Sequence, residues 1–417
     1  MKKIVLSLAG VLAATAFAPE AAAVPSFARQ VGMACSACHF QSFPALTAFG
    51  RSFKTAGFTM MGAQGKVEGD HGLSIPDTLN MSLYLVARYK KTGGTDTTVA
   101  GNNNLSTNSG RIDVPDEFVM FAGGRVAENI GAYTEINLNG AGANMAHLKL
   151  PIMFDVGSVK LGVIPFTSSD GGPQYAYDLF ATGSTPMGRV IENGLGYSAA
   201  MYILGRPAAS GAAVVVANET FHVSYTPWVQ GFAATNNGVT ATKLGGNYIR
   251  AAWTPNYANW DLGVGVMHFS GNSLKGIDTT TLIALGIPVD AAGNATTRDS
   301  ATVIDFQGQG EVAAMPLGIY GSWGWADGQT VGAVNTLNMS PERKSAFGLL
   351  ADLGVIPQTL NLQLGLMRAK TGANVGAVAG TNESDNSYTL GARYKLAQNV
   401  KLTVAYTKSS GSAYNLG

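Results

Sequence analysis

Residues 360–366 read Leu360-Asn361-Leu362-Gln363-Leu364-Gly365-Leu366. Four leucines at every second position, with Asn, Gln and Gly between them, give a strand with one apolar and one polar or small face. The same period recurs along the chain. Tyr388, Leu390, Ala392, Tyr394 and Leu396 alternate with Thr389, Gly391, Arg393 and Lys395. Leu402, Val404 and Tyr406 alternate with Lys401, Thr403 and Ala405. Ala132, Thr134, Ile136 and Leu138 alternate with Tyr133, Glu135, Asn137 and Asn139. A soluble sandwich uses this pattern too. Strands of about ten residues, short turns alternating with long polar loops and small polar residues on the second face favour a transmembrane β-barrel. Ala397-Gln398-Asn399 is a tight turn between two such strands, whereas residues 92–111 and 273–300 are long, polar and rich in Gly, Asn and Thr.

The fold class expected is therefore all-β: an antiparallel transmembrane barrel over residues 76–417. At roughly 20 residues per strand and connection it has about 16 strands. Closure lets such a sheet satisfy its backbone hydrogen bonds without water, as the bilayer requires. All five tryptophans (Trp228, Trp253, Trp260, Trp323 and Trp325) lie in this region, several near strand ends where interfacial aromatics belong.

Composition agrees. Of 417 residues, 53 are glycine and only 13% are charged, against about 25% in ordinary soluble domains. A net charge of +1 lacks the basic field that nucleic acid would require. Glycine-rich stretches do not open a helix in the manner of a phosphate-binding loop, so no nucleotide site is expected.

The N-terminus reads as an address. Lys2 and Lys3 precede an apolar run from Ile4 to Ala18, and Ala21-Ala22-Ala23 offers a cleavage site. Residues 1–23 are expected to be a signal peptide for export across a bacterial inner membrane, with the outer membrane as destination.

Between signal and barrel, residues 24–75 carry Cys35-Ser36-Ala37-Cys38-His39. Cys-x-x-Cys-His is the attachment signature of a c-type haem. The two thiols add to the two vinyl groups of one porphyrin, and the adjacent imidazole becomes an axial ligand of the iron. A redox dithiol would call for a βαβ context, and a zinc site would call for a second Cys pair; neither is seen. The expectation is one covalently bound haem c on Cys35 and Cys38, with His39 ligating the haem iron. Met60, Met61 and His71 are the candidates for the second axial position; an open site or a remote ligand is also compatible. Ser42 as cap and Pro44 in the first turn predict a helix carrying Phe43, Leu46, Phe49 and Phe53 at helical spacing. With Phe40 and Phe58 these side chains would either wall a porphyrin or pack on protein. The segment is too small for a free-standing core, so it is expected to fold into the barrel mouth or lumen.

Val24-Pro25-Ser26-Phe27-Ala28-Arg29-Gln30, the Cys35–His39 motif, Gln41, Phe43-Pro44, Phe49-Gly50-Arg51 and Phe53-Lys54 together resemble the fused monohaem cytochrome–porins of Fe(II)-oxidising bacteria. The resemblance covers roughly residues 24–90. It implies an outer-membrane barrel behind a single haem c, oxidising extracellular Fe(II) and passing the electron to a periplasmic c-type cytochrome or other soluble carrier. Read as an enzyme, that is an Fe(II):cytochrome c oxidoreductase. The alternatives are a porin whose haem plug is structural, and a conduit for a donor or acceptor other than iron. For a donor site, hard oxygen ligands suit iron: Asp113, Asp116 and Glu117 lie near a strand edge, and Glu135 lies on a lumen face. Such acids are more commonly just solvated. His147, His222 and His268 are scattered among the strands and read as girdle or lumen residues.

Overall fold

A computed structural model describes residues 26–93, 110–138, 144–185, 189–191, 194–231, 243–275, 280, 283, 296–329, 333–375 and 378–414. The expected signal peptide, 1–23, lies outside them, as does much of the loops 92–111 and 273–300.

The body of the protein is a closed β-barrel in which strands consecutive in sequence pair antiparallel. Its strands are β1 (Met81–Lys90), β2 (Arg111–Ala127), β3 (Ile130–Asn137), β4 (Asn144–Lys149 and Ile152–Val156) and β5 (Val159–Ser168). They continue as β6 (Ala209–Ala217), β7 (Phe221–Gln230), β8 (Gly246–Trp253 and Asn256–Tyr257), β9 (Trp260–Gly271) and β10 (Ala301–Val312). The last five are β11 (Met315–Ala326), β12 (Lys344–Ile356), β13 (Leu360–Lys370), β14 (Ser384–Ala397) and β15 (Val400–Ser410). β4 and β8 are each interrupted once, at Leu150-Pro151 and Thr254-Pro255, because proline cannot donate to the ladder. Fifteen strands are thus seen among the described residues where about 16 were expected, and the first starts at Met81 rather than at residue 76.

The alternation is realised in space. Along β13 the leucines face out, with Leu362 and Leu364 each 48% exposed, while Asn361 and Gln363 are turned inward and buried. In β14, Leu390 faces out and Thr389 and Arg393 face in. This inverts a soluble protein: apolar side chains meet lipid and polar ones fill the lumen.

The connections alternate in length. Short turns follow the even-numbered strands, as at residues 258–259, 313–314 and 398–399, and long loops follow the odd-numbered ones. Ala258, Asn259, Ala313, Ala314 and Asn399 take the left-handed conformation that two-residue hairpin turns require. The barrel therefore has a short-turn end and a long-loop end, and the N-terminal segment enters at the short-turn end.

Two elements occupy the lumen. The first is the segment before β1, with helices α1 (Ser26–Val31), α2 (Cys35–Cys38) and α3 (Ala48–Thr55) and a small hairpin, Lys66–Glu68 with Ser74–Pro76. The second is the β5–β6 connection, whose described residues (169–185, 189–191 and 194–208) fold inward and carry helix α4 (Ala199–Leu204). Ser198 caps α4 by accepting from Met201 N–H. Tyr175, Tyr177, Phe180, Ile203 and Leu204 of this loop are buried against inward side chains such as Trp228 and Tyr248.

Tryptophan placement is mixed. Trp253 (58% exposed) and Trp323 (51%) point outward, on different halves of the barrel height. Trp228 does not: it is buried in the lumen, with its ring edge-on to Phe269. The inward loop supplies an apolar partner there, and burial wins over an interfacial position.

Candidate functional site

The Cys-x-x-Cys-His stretch forms a single helical turn, α2, closed by His39 N–H donating to Cys35 C=O at 2.9 Å. Cys35 and Cys38 sit at its two ends, three residues apart on one face, and both thiols are partly exposed. The turn is held from below by α3. Thr47 N–H donates to Cys38 C=O at 3.0 Å, and Thr47 Oγ1 donates to Ala37 C=O at 2.6 Å. A Cβ on Gly50 would fall 2.1 Å from the Cys38 carbonyl oxygen, so only glycine lets the two helices approach this closely.

His39 is fixed by its neighbours. Its Nδ1 faces Ala45 C=O at 3.3 Å, and its ring lies edge-on to Phe43, with centroids 5.5 Å apart. Donation from Nδ1–H leaves Nε2 as the lone-pair nitrogen, the usual arrangement of a metal-ligating histidine. Burial pushes the imidazole pKa down to about 4, against the partial support of the Ala45 carbonyl; Lys401 lowers it further. The ring is thus neutral at physiological pH, the form that binds iron. Phe43 is 51% exposed, an apolar ring beside the motif with a free face. Two thiols on one turn, a neutral oriented imidazole and a half-exposed aromatic ring fit a covalently attached porphyrin.

One expectation about this segment is corrected. The helix does not begin at Ser42; Thr47 is the cap, accepting from Gly50 N–H at 3.1 Å, and α3 runs Ala48–Thr55. Residues 39–46 instead fold back, with Phe40 N–H donating to Ala45 C=O and His39 bridging to Leu46. The aromatic residues also divide. Phe53 and Phe58 are buried against Phe27, which lies 5.2 and 5.0 Å away, and Phe58 reaches Tyr133 of β3. They pack on protein, as does Phe40, whereas Phe49 is partly buried and Phe43 is exposed.

The three candidates for the second axial position are spread out. The Met60 carbonyl accepts from Gln30 Nε2 at 2.7 Å, placing Met60 and Met61 beside the end of α1. His71 lies in the exposed, left-handed tip of the small hairpin. None of the three is brought against His39 by a contact among the described residues.

The segment is moored to the wall around the short-turn mouth. Arg51 makes a two-pronged pair with Asp261 at the start of β9, at 2.8 and 2.7 Å. Gln41 Nε2 donates to the Asp352 carbonyl of β12 at 2.8 Å, and Asn361 and Arg393 converge on the Asp352 carboxylate. Arg125 of β2 reaches Ser74 and Thr59. Gln398 in the last turn approaches Cys35 Sγ at 3.7 Å, and Lys401 lies over Phe43. A Cβ at Gly131 of β3 would sit 1.8 Å from the Gly57 carbonyl oxygen, so the plug backbone presses directly on the wall.

From the other side, the inward loop meets the same segment. Lys54 Nζ donates to the Asp178 carbonyl, and Thr55 Oγ1 and Tyr177 OH are 2.8 Å apart. The loop is itself locked to the wall. Arg250 of β8, fully buried, pairs with Asp305 of β10 at 2.6 and 2.8 Å and with Asp178 at 3.3 Å, under the Phe180 ring. Thr182 Oγ1 donates to Asp305 at 2.6 Å.

Among the other polar residues singled out from sequence, the acids of β2 are ion-paired, whereas His222 Nε2 is buried without a hydrogen-bond partner among the described residues. Asp113, Asp116 and Glu117 form an ion-pair ladder with Lys90, Arg88 and Arg111 across β1 and β2. His222 is buried in the lumen between Tyr177 and Phe180. His268 faces Thr302 on the outside.

No family model and no curated protein matches the chain. Among solved structures, the chain is similar to OmpT of Vibrio cholerae in its trimer form, with 13% identity, a TM-score of 0.44 and coverage of 80% of this chain and 90% of that one. A mutant of the Rh. blastica porin matches with 13% identity and a TM-score of 0.43, covering 80% and 95%. The outer membrane protein opdK from Pseudomonas aeruginosa matches with 10% identity and a TM-score of 0.38, covering 84% and 86%. The closed barrel itself follows from this chain's own strand pairing. At such identities the likeness extends to architecture alone.

Proposed function

We propose that this barrel carries one haem c on Cys35 and Cys38, ligated by His39, and serves as an outer-membrane electron-transfer protein. When bound, the haem supplies a reversible one-electron centre. The chain's residues do the rest. Cys35 and Cys38 tether it, Ala45 C=O orients the His39 ring, and Phe43 with Lys401 borders it at the short-turn mouth. By the habit of outer-membrane barrels, short turns face the periplasm, which puts the motif within reach of a soluble carrier.

The observation that carries this reading is the seating of the Cys-x-x-Cys-His turn in a mouth whose lumen is filled from both sides. Solutes have no evident need of a barrel in which plug and loop touch at Thr55 and Tyr177, whereas electrons need no open path. Extracellular Fe(II) as donor, and a periplasmic c-type cytochrome as acceptor, rest on the sequence resemblance alone. Anaerobic mixing of the oxidised holoprotein with Fe(II) at controlled pH, followed by the haem spectrum, tests the donor. Rapid reduction is expected. No reduction, together with a haem potential below that of the iron couple in the same buffer, would remove iron.

The porin-like fold favours a second reading, a channel with a structural haem plug. It requires steady solute conductance in planar bilayers and haem reduction no faster with Fe(II) than with unrelated donors.

A further inference from the structure

The outward positions of β13 read Leu360, Leu362, Leu364, Leu366, Arg368 and Lys370. Four leucines end and two cations follow on the same face, toward the long-loop end. At about 3.4 Å per residue, Arg368 lies roughly 7 Å beyond Leu366, and Lys370 roughly 7 Å further. Strand pairing carries this change of character sideways. Arg368 stands between Phe347 of β12 and Asn386 of β14, and Lys370 between Ser345 and Ser384. Trp323 of β11 pairs with Phe347 in turn, and both rings are exposed. An aromatic row at that height marks the level where hydrocarbon gives way to headgroups. Together these side chains line an open groove of about 360 Å³ on the outer wall.

We propose that this groove binds a membrane lipid whose headgroup carries a phosphate monoester, with its acyl chains lying down the leucine row. Three observations support it. The first is charge. Among the described residues neither cation pairs with a carboxylate. Arg368 Nη1 donates to the Met367 carbonyl and Lys370 Nζ to the Asn382 carbonyl, each at 3.3 Å. Arg88 and Lys90 of β1, at the same end of the barrel, are by contrast neutralised by Asp113, Asp116 and Glu117. A third cation, Lys408 of β15, stands beside Tyr388 on the outer face; its neighbour Thr407 turns the other way and meets Thr389 in the lumen.

The second observation is position. The cations begin where Leu366 ends, so a phosphate on them leaves its chains against Leu366 and Leu364. The third is the headgroup chemistry the groove accepts. A phosphate monoester holds about 1.5–2 negative charges near pH 7, which two unpaired cations match, and a guanidinium can take it two-pronged. Ser345 and Asn386 add neutral hydrogen-bonding groups beside them. A zwitterionic phospholipid would bring an ammonium of its own against Arg368 and Lys370. By the orientation given above, the leaflet concerned faces the cell exterior. The site lies on the outer wall, apart from the Cys-x-x-Cys-His turn, and stands whether or not the chain carries haem.

The test is native mass spectrometry of the folded full-length protein, released from detergent after equilibration with a bisphosphorylated, hexa-acylated glucosamine disaccharide lipid. One retained lipid per chain is expected. R368Q/K370Q should weaken retention roughly tenfold or more, through loss of the charge-assisted contacts. K395Q, an exposed cation at the short-turn end of β14, should not. The same lipid without its phosphates, and phosphatidylethanolamine, should both bind at least as weakly as the intact lipid binds the double variant. Heat-modifiable electrophoretic mobility checks that each variant is folded. Wild-type protein that retains no phosphorylated lipid would overturn the proposal. So would equal retention of the dephosphorylated lipid or of phosphatidylethanolamine, the result for cations that merely reach the interface. A folded R368Q/K370Q that binds as the wild type does, or displacement of the lipid by inorganic phosphate alone, would overturn it as well.

Discussion

Thr55 Oγ1 and Tyr177 OH lie 2.8 Å apart across 122 positions of sequence, and this contact joins the N-terminal plug to the inward loop. Both side chains are buried, so removing either leaves the other hydroxyl without its partner. T55V and Y177F are each expected to cost about 1 kcal/mol. The double variant should cost less than the sum, because only one bond is lost. Urea unfolding of the three variants checks this. Current recordings in planar bilayers should show the double variant fluctuating open more often than the wild type.

Arg51 and Asp261 are the strongest charged mooring of the plug. The arginine side chain is 6% exposed and the aspartate 18%. R51M should destabilise plug seating by about 3 kcal/mol, since Asp261 loses its guanidinium while staying largely desolvated. Limited proteolysis should then release the N-terminal segment faster than from wild type, with the barrel band unchanged.

Arg250 holds the inward loop through Asp305 and Asp178. R250M leaves two buried carboxylates uncompensated, so a loss of about 3–5 kcal/mol is expected. R250M combined with D305N should recover part of it, because one of the stranded charges is gone. Thermal loss of the heat-modifiable folded form gives the order of the three proteins.

Leu364 lies midway along β13 and faces out. L364R should destabilise the barrel in liposomes by about 2–4 kcal/mol, the cost of an arginine near the midplane of a lipid-facing strand. Q363A, one residue away on the lumen face, should cost far less. If the two variants are equally stable, the in–out assignment of β13 is wrong.

Produced with a competent cytochrome-assembly system, C35A/C38A is expected to lack covalently bound haem on denaturing gels stained for peroxidase activity. H39A should keep the stain through its thioethers but shift the Soret band as the axial ligand changes. Wild-type protein that is colourless would refute the haem assignment.

Much of the barrel was legible in the chain. Period-two alternation is imposed by strand geometry, and water or lipid on one face selects the side chains, so Leu360 to Leu366 declared their faces without any structure. Asn399 marked its own turn because asparagine tolerates the left-handed conformation. The Cys35, Cys38 and His39 pattern was visible for a similar reason: it is a spacing set within five consecutive residues. Local signals misled at Ser42, where the chain chose Thr47 as cap because residues 39–46 fold back through Phe40 and Ala45.

The sequence by itself thus determined strand periodicity, the two lengths of connection and the Cys-x-x-Cys-His motif, all of which are set within a few neighbouring residues. Only the tertiary structure decided that the described residues of the β5–β6 connection fill the lumen, that Trp228 points inward, that Gln41 is held by Asp352 and that Glu135 and Asp170 meet at His147. Those contacts join residues from as few as 12 to more than 300 positions apart. They depend on strand register and on which loop folds inward, and neither leaves a period or a spacing in the chain.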